Sequence, residues 1–251
     1  MRLVPGLDRG MRVLDLLARR GEPISASALA RELDIPRSAV YEIINTLLVH
    51  NAVRQHPGGL IGLGHQTLVL GSAYGASLDL VTLAQPIARD VMLACEETVQ
   101  LGFLEDRHVV YLVKADSPRP VRLVSRVGSR VPAHCTALGK MLLASLPAEE
   151  LDRRVGRVEL EQLTPASITD PTVLRENLAE ARAQGYAWEY GESNDEVACV
   201  AAPVRDADGR VVAAMSISAP VGRVTGRREE LLTVLAGGAD RLSASLGHSP
   251  R

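Results

Sequence analysis

Pro36-Arg37-Ser38-Ala39-Val40-Tyr41-Glu42-Ile43-Ile44-Asn45-Thr46-Leu47-Leu48-Val49-His50 is the stretch on which the reading of this chain turns. Val40, Ile43, Ile44, Leu47 and Leu48 follow the i, i+3, i+4, i+7, i+8 spacing of a helix with one buried stripe, while Ser38, Tyr41, Glu42 and Asn45 repeat that spacing on the other side. One face packs; the other is polar and able to hydrogen-bond. Upstream, Leu7, Met11, Leu14 and Ala18 read as a first helix that breaks at Gly21-Glu22-Pro23, and Ser25 N-caps a second through Ala28, Leu29 and Leu33. Downstream, Ala52-Val53-Arg54-Gln55 and Leu60-Ile61-Gly62-Leu63 flank His56-Pro57-Gly58-Gly59 as a short hairpin. Three helices and a hairpin outline a winged helix-turn-helix.

In such a unit the third helix enters the DNA major groove. Ser38, Tyr41, Glu42 and Asn45 are side chains suited to base edges, with Arg37 placed for phosphate or guanine. Asn pairs with adenine and Glu accepts from cytosine N4. Arg54 and His56 on the hairpin lie where a wing meets backbone phosphate, and Ser25 at the second helix start is counted with them. The competing account, an ordinary solvated helix face, weakens once the preceding helix, the Pro36 turn and the hairpin are added.

The 251 residues are 46% hydrophobic and 23% charged, near the globular mean, which sets aside disordered, collagen-like and coiled-coil readings. Net charge is −2 overall, yet residues 1–75 hold eight arginines against six acids and residues 76–251 hold 20 basic against 24 acidic side chains. A mildly basic head sits on an acidic body. Of the 28 basic residues only Lys114 and Lys140 are lysines, an excess of arginine that we ascribe to coding composition. Three cysteines, Cys95, Cys135 and Cys199, stand at wide spacing with no CxxC, so neither a disulfide scaffold nor a metal site is expected. The N-terminus lacks an apolar signal region, and no apolar run approaches the roughly 18 residues of a membrane span, so a soluble, cytoplasmic protein with no membrane partner is expected.

The body alternates strands and helices. Residues 65–96 read mostly helical; 98–104 and 109–113 form a hairpin; 121–127 is a strand; 136–146 is a helix rich in small residues. Asp170-Pro171 opens a helix that Gly185 closes. Residues 186–190, 197–204 and 211–218 are strands, the last two joined by Asp206-Ala207-Asp208-Gly209, and 227–246 is a C-terminal helix. This describes an α/β or α+β sensor-type domain.

Two places in the body carry chemistry. The start of the helix at 136, within Val131-Pro132-Ala133-His134-Cys135-Thr136-Ala137-Leu138-Gly139-Lys140, offers backbone N–H groups to an anion such as a carboxylate; tight helix-on-sheet packing suits the same small residues, and both accounts stand. Lys140 reads as structural or solvated rather than catalytic. On the last strand Ala214, Ser216 and Ser218 share a face opposite Ala213, Met215 and Ile217; Val197, Cys199 and Ala201 share one on the strand before, and Glu189 lies on the strand before that. Together they form a candidate pocket of a few polar groups in an apolar wall, against the alternative of backbone-satisfied serines. Enzyme motifs are missing: there is no GxSxG, Gly59-Leu60-Ile61-Gly62-Leu63-Gly64 has the wrong spacing for a dinucleotide fingerprint, and Gly139-Lys140 lacks the rest of a P-loop. His134 and Cys135, adjacent on an extended segment, point opposite ways and make no nucleophile pair. No catalytic residue and no cofactor are expected.

The chain resembles the IclR family of bacterial transcriptional regulators over nearly its whole length. The resemblance rests on Pro36 to Tyr41 with Asn45-Thr46-Leu47, Leu63-Gly64 with Leu68-Val69-Leu70-Gly71, Gly128 to His134 running into Thr136 to Lys140, Leu163-Thr164-Pro165 with Ile168-Thr169-Asp170, Gly185-Tyr186-Ala187, and Ala201 to Val204 through Ser216-Ile217-Ser218. Each is short; their order and spacing together are specific. The resemblance implies an α+β chain: a winged helix-turn-helix over 1–66, a linker helix over 67–79 and a GAF-like effector-binding and oligomerisation domain over 80–251. It implies a pseudo-palindromic double-stranded DNA operator, a small organic or aromatic acid as effector, and a homodimer or homotetramer. By position, the effector pocket is lined by Leu123, Val131, Ala137, Leu138, Glu189, Val197, Cys199, Ser216 and Ser218.

Two departures matter. The family usually carries arginine after the Tyr41 position, where this chain has Glu42, for which an intrahelical or domain-internal ion pair is expected. Where a family member carries Asp at position 189 this chain has Glu189, which shortens the pocket. The function expected is a ligand-responsive DNA-binding regulator, a repressor rather than an activator. Its rivals are a small-molecule-converting enzyme with a vestigial DNA-binding head, whose turnover Cys135→Ala would abolish, and a ligand-independent DNA-binding scaffold.

Overall fold

The computed structural model describes residues 3–76, 79–120, 125–156 and 158–249. Contacts divide the chain into two units, Met1–Leu78 and Asp79–Arg251. In the first, Pro5 at the start and Gly21 at φ 70 at the end delimit α1 (Pro5–Arg20). The Ser25 hydroxyl accepts the Ala28 N–H at 3.3 Å and caps α2 (Ala26–Leu33). Pro36 opens α3 (Arg37–Val49). The antiparallel pair β1 (Val53–Gln55) and β2 (Ile61–Leu63) follows, turned through Gly58 and Gly59, both at positive φ where a side chain would be strained. An isolated bridge from Ile24 to Ile61 ties this wing to the segment before α2, and α4 (His65–Ala76) leaves it. Val13, Leu17, Leu29, Val40, Ile44, Val53 and Ile61 form the core; fully burying a side chain of this kind contributes roughly 1.5–3 kcal/mol. The periodic Leu7 and Met11 of the sequence lie on the outer face of α1 and stay exposed, while Gly10, Val13 and Leu17 face inward.

The second unit opens with α5 (Asp79–Cys95) and the hairpin β3 (Thr98–Glu105) and β4 (His108–Ala115). Then come β5 (Arg130–Pro132), α6 (Ala137–Ala144), α7 (Ala148–Val155), α8 (Pro171–Gln184), β6 (Ala187–Tyr190), β7 (Val197–Arg205), β8 (Val211–Pro220), α9 (Val221–Val224) and α10 (Arg228–Ser245). Six strands form one sheet in the order β5-β4-β3-β8-β7-β6, and every neighbouring pair is antiparallel, which settles the class as α+β. Strand alternation sends Val99, Leu101, Val200, Met215 and Ile217 to one face, where α5 and α10 pack, and Ala201 and Ala214 to the other, under α6. A bulge between Leu101 and Gly102 shifts the register, so Val113 joins the first core and Tyr111 the second. At the entry to β3, Glu97 is fully buried and its carboxylate accepts from Arg223 at 2.9 and 2.6 Å and from Arg227 at 3.3 Å, with Arg119 at 4.0 Å.

Two local expectations change. The strand expected over 121–127 falls partly outside the described residues, as does Leu123 altogether; residues 125–127 run as coil into a turn, and the strand here is β5, whose register with His108 to Val110 of β4 sets it further on. The amphipathic α7 carries two acids in its first turn and two arginines in its last, a charge pattern the sequence reading passed over. Among the described residues no helix is long and apolar enough to cross a membrane.

Candidate functional site

On the first unit, Arg37, Ser38, Tyr41, Glu42 and Asn45 are all exposed on one side of α3, opposite buried Val40 and Ile44. Arg54 is exposed on β1 and His56 is half-buried at the wing turn. Ser25 is half-buried and its hydroxyl is engaged by the Ala28 N–H and by Ser27 Oγ at 3.0 Å. The ion pair expected for Glu42 does not form: no ion pair reaches it among the described residues, and the positions three and four away on its helix are Ser38, Ala39, Asn45 and Thr46, none of them basic. Its carboxylate stands free on the polar face.

In the second unit, register puts two rows of side chains under α6. Glu189 pairs with Cys199, Cys199 with Ser218 and Ser218 with Thr98; beside them run Ala187, Ala201, Ser216 and Gln100. Glu189 and Ser216 are 1% exposed and Ser218 2%, so none is solvated. Ser218 Oγ donates to Gln100 Oε1 at 3.1 Å and Gln100 Nε2 to Ser125 Oγ at 2.5 Å, whereas Ser216 Oγ is buried without a partner. An unsatisfied buried hydroxyl costs roughly 1–3 kcal/mol and calls for a functional account. Glu189 Oε2 accepts the Glu192 N–H at 3.0 Å, and Ser193 Oγ lies 3.5 Å from Oε1. Burial pushes the Glu189 carboxyl up to about 7, against the opposing pull of the Cys199 thiol and the Glu192 amide. Burial likewise drives the Cys199 thiol and the Tyr111 hydroxyl well above their usual ranges.

α6 lies over β3, β7 and β8 and is buried along its whole length. Thr136 caps it by accepting the Gly139 N–H at 3.0 Å, leaving the amides of Ala137 and Leu138 without a partner among the described residues. Gly139 is required here, because a Cβ would stand 2.1 Å from the Ala133 carbonyl oxygen. Ala137, Leu138, Val131 and Cys199 therefore gather in one cluster with Ala201 and Ala214, while Val197 is buried at the start of β7 outside it.

Lys140 is 1% exposed, and its Nζ donates to Glu192 Oε1 at 2.5 Å, a buried ion pair that the sequence did not reveal. The turn bearing Glu192 is held from outside by Thr164 Oγ1 on the Gly191 carbonyl at 2.6 Å and by Ser167 Oγ on the Glu192 carbonyl at 2.7 Å. His134 and Cys135 lie in a 3-10 turn rather than an extended segment, and both side chains approach the Glu161 carbonyl, at 2.9 and 3.8 Å. Burial raises the Cys135 thiol to about 11 and lowers His134, so the pair holds neither a thiolate nor a base aimed at it. Gln100 and Tyr111 complete the pocket wall and were missed. Gln100 had a signal, as the lone amide inside the apolar run Val99 to Leu104.

A polar-faced winged helix-turn-helix followed by an antiparallel sheet with polar side chains buried under its covering helix is the build of a ligand-responsive DNA-binding regulator. Comparison with known proteins agrees. Residues 6–57 match the IclR helix-turn-helix domain and residues 72–244 the bacterial transcriptional regulator IclR C-terminal domain. The chain is 36% identical over 220 residues to the HTH-type transcriptional repressor AllR of Klebsiella pneumoniae, covering 87% of this chain and 81% of that one. It is 30% identical over 225 residues to the HTH-type transcriptional regulator XynR of Escherichia coli, with 89% of each covered. Among solved structures it superposes on an IclR homolog of Microbacterium hydrocarbonoxydans complexed with 4-hydroxybenzoate at a TM-score of 0.85 and 27% identity, covering 97% of this chain and 100% of the other. The Thermotoga maritima IclR gives a TM-score of 0.80 at 29% identity, with 96% and 98% covered. The chain belongs to the IclR family of bacterial transcriptional regulators.

Proposed function

We propose that this regulator represses transcription from a pseudo-palindromic operator and that a small organic or aromatic acid, bound under α6, modulates its grip on the DNA. The observation that carries the reading is the buried Ser216 hydroxyl, without a partner among the described residues, on the sheet face under α6 that also bears buried Glu189 two strands away, with the amides of Ala137 and Leu138 likewise unpaired among the described residues. The 4-hydroxybenzoate in the Microbacterium homologue supports an acid as the class of effector. We assign residues 1–66 to DNA binding, 67–79 to the linker and 80–251 to effector binding and oligomerisation, with the DNA placing the protein in the cytoplasm.

Val4 at the cap of α1, Leu7 and Met11 on α1, and Leu68, Val69 and Leu70 on α4 are large apolar side chains left exposed, and we assign them to contact with a second copy, giving a homodimer that pairs into a homotetramer. Two third helices then enter successive major grooves about 34 Å apart or a multiple of it. The effector acts through its differential affinity for two arrangements of the dimer.

Asn45→Ala is expected to weaken operator binding by about 1–3 kcal/mol per half-site and to relax base preference at one position. Arg54→Ala is expected to weaken binding evenly across sequences and to lower the salt dependence by about one per half-site. Gel shifts over a salt series read both. The effector site is tested on DNA upstream of this gene and its divergent neighbour, with and without candidate acids. The double variant Ser216→Ala, Ser218→Ala keeps the shifted band and loses the acid response; a retained response removes this pocket from the mechanism.

A further inference from the structure

The pocket contains a carboxyl group where an acid is to bind, and the cations near it are engaged. Lys140 is bound to Glu192 at 2.5 Å and Lys114 to Asp116 at 2.6 Å. Among the described residues the groups here without a partner are three donors, Ser216 Oγ and the amides of Ala137 and Leu138, and one acceptor, Glu192 Oε2, while the Glu189 carboxyl accepts the Glu192 N–H on Oε2 and has Ser193 Oγ 3.5 Å from Oε1. A cluster in which unpaired donors outnumber unpaired acceptors favours a ligand rich in acceptors.

We propose that the pocket takes a monocarboxylate as an acid–carboxylate pair, in which the protonated Glu189 carboxyl donates to the ligand's carboxylate while Ser216 and the amides of Ala137 and Leu138 supply the remaining donors. This rests on the reading of the pocket as the effector site. The balance is explicit. Ionised Glu189, one proton from solvent and the ligand anion combine, and the proton lies on Glu189 between two carboxyl groups that cannot both be charged at hydrogen-bond distance in a dry site. The titratable groups facing Glu189 are Cys199 from β7, Tyr111 from β4, Cys135 from the turn before α6, Lys140 from α6 and Glu192 from its own turn. Both thiols and the phenol are pushed up by burial and stay neutral near pH 7, and the Lys140–Glu192 pair is internally compensated.

The sign follows directly. Binding requires the protonated form, which is present below about 7 and lost above it, so affinity for an anionic ligand falls as pH rises, by about tenfold between pH ~6 and pH ~8. The test is isothermal titration of the full chain with acetate, lactate, benzoate and 4-hydroxybenzoate, and with their amides, at those two pH values and in two buffers of different ionisation enthalpy. The expected result is that at least one carboxylate binds, with uptake of about one proton per site at the higher pH and the tenfold loss, while its amide binds no better at either pH. Glu189→Gln is expected to keep that carboxylate's binding, through the amide N–H, and to lose both the pH dependence and the proton uptake. Affinity that is flat or rising with pH, amides that match their acids, or no binding by any carboxylate overturns the acid–carboxylate pair. If another small molecule still releases the operator through Ser216 and Ser218, the effector-site reading survives that failure; if the double serine variant responds like the parent, it does not.

Discussion

Glu97→Ala is expected to lower the stability of the C-terminal unit by about 3–5 kcal/mol, the usual cost of removing one partner from a buried ion cluster. The carboxylate is 0% exposed and collects Arg223 and Arg227, with Arg119 at 4.0 Å. Without it Arg223, Arg227 and Arg119 lose a shared buried counter-ion, although Arg227 keeps Glu230 and Arg119 keeps Glu96. The one carboxylate ties three segments to the start of β3: Arg223 lies in α9, Arg227 precedes α10 and also donates to the Cys95 carbonyl at 2.9 Å, and Arg119 follows β4. For a unit of this size the change corresponds to a fall of roughly 10 °C in Tm, or a substantial share of a typical 5–15 kcal/mol total. Calorimetry of the full chain reads it, and a loss below about 1 kcal/mol contradicts the assignment. Glu97→Gln, which keeps the shape and two hydrogen-bonding atoms, is expected to fall between the two.

Gly139→Ala is the second. Its Cβ would meet the Ala133 oxygen at 2.1 Å, the Ala133 Cα at 2.3 Å and the Ala133 carbon at 2.5 Å, all backbone atoms that no rotamer change moves aside. Either the 133–135 turn lifts off α6 or the helix shifts away from the sheet. Overpacking of this kind costs about 3 kcal/mol or more. The functional effect is expected to exceed the thermal one, because the same close approach sets where the Ala137 and Leu138 amides stand. The expected phenotype is a regulator that still shifts operator DNA at permissive temperature and ignores its effector. A variant that responds normally to acid contradicts this geometry.

Why some of this was legible in the sequence and some was not has a physical pattern. The α3 stripe and its polar face follow from a period of 3.6, and the faces of β7 and β8 from a period of two, which is why the sequence alone gathers Cys199, Ser216 and Ser218. Where local pattern and tertiary packing disagree, the pattern misleads. The strand expected over 121–127 lies partly outside the described residues, and within them the pairing with His108 to Val110 of β4 is made by Arg130 to Pro132. Leu7 and Met11 have helical spacing yet face outward. The turn at His134-Cys135 arises because Gly139 lets the chain fold back, a contact six residues removed from Ala133 that no propensity encodes. Lys140 and Glu192 are 52 residues apart, and nothing in either neighbourhood announces a partner.

The centre of the sheet is the β3–β8 pair, whose Gln100 and Ser218 side chains meet across 118 residues of chain. On the ribosome, β3 and β4 emerge long before β8, and β3 waits with an unpaired edge until β8 has been made. A chain ending after β7 would carry three of the four strands that bear the pocket residues, β3, β6 and β7, and still expose two strand edges where β8 belongs. Premature termination or delayed synthesis between β7 and β8 is therefore predicted to yield aggregate rather than a partially active regulator, and the pocket comes into existence only once β8 has emerged.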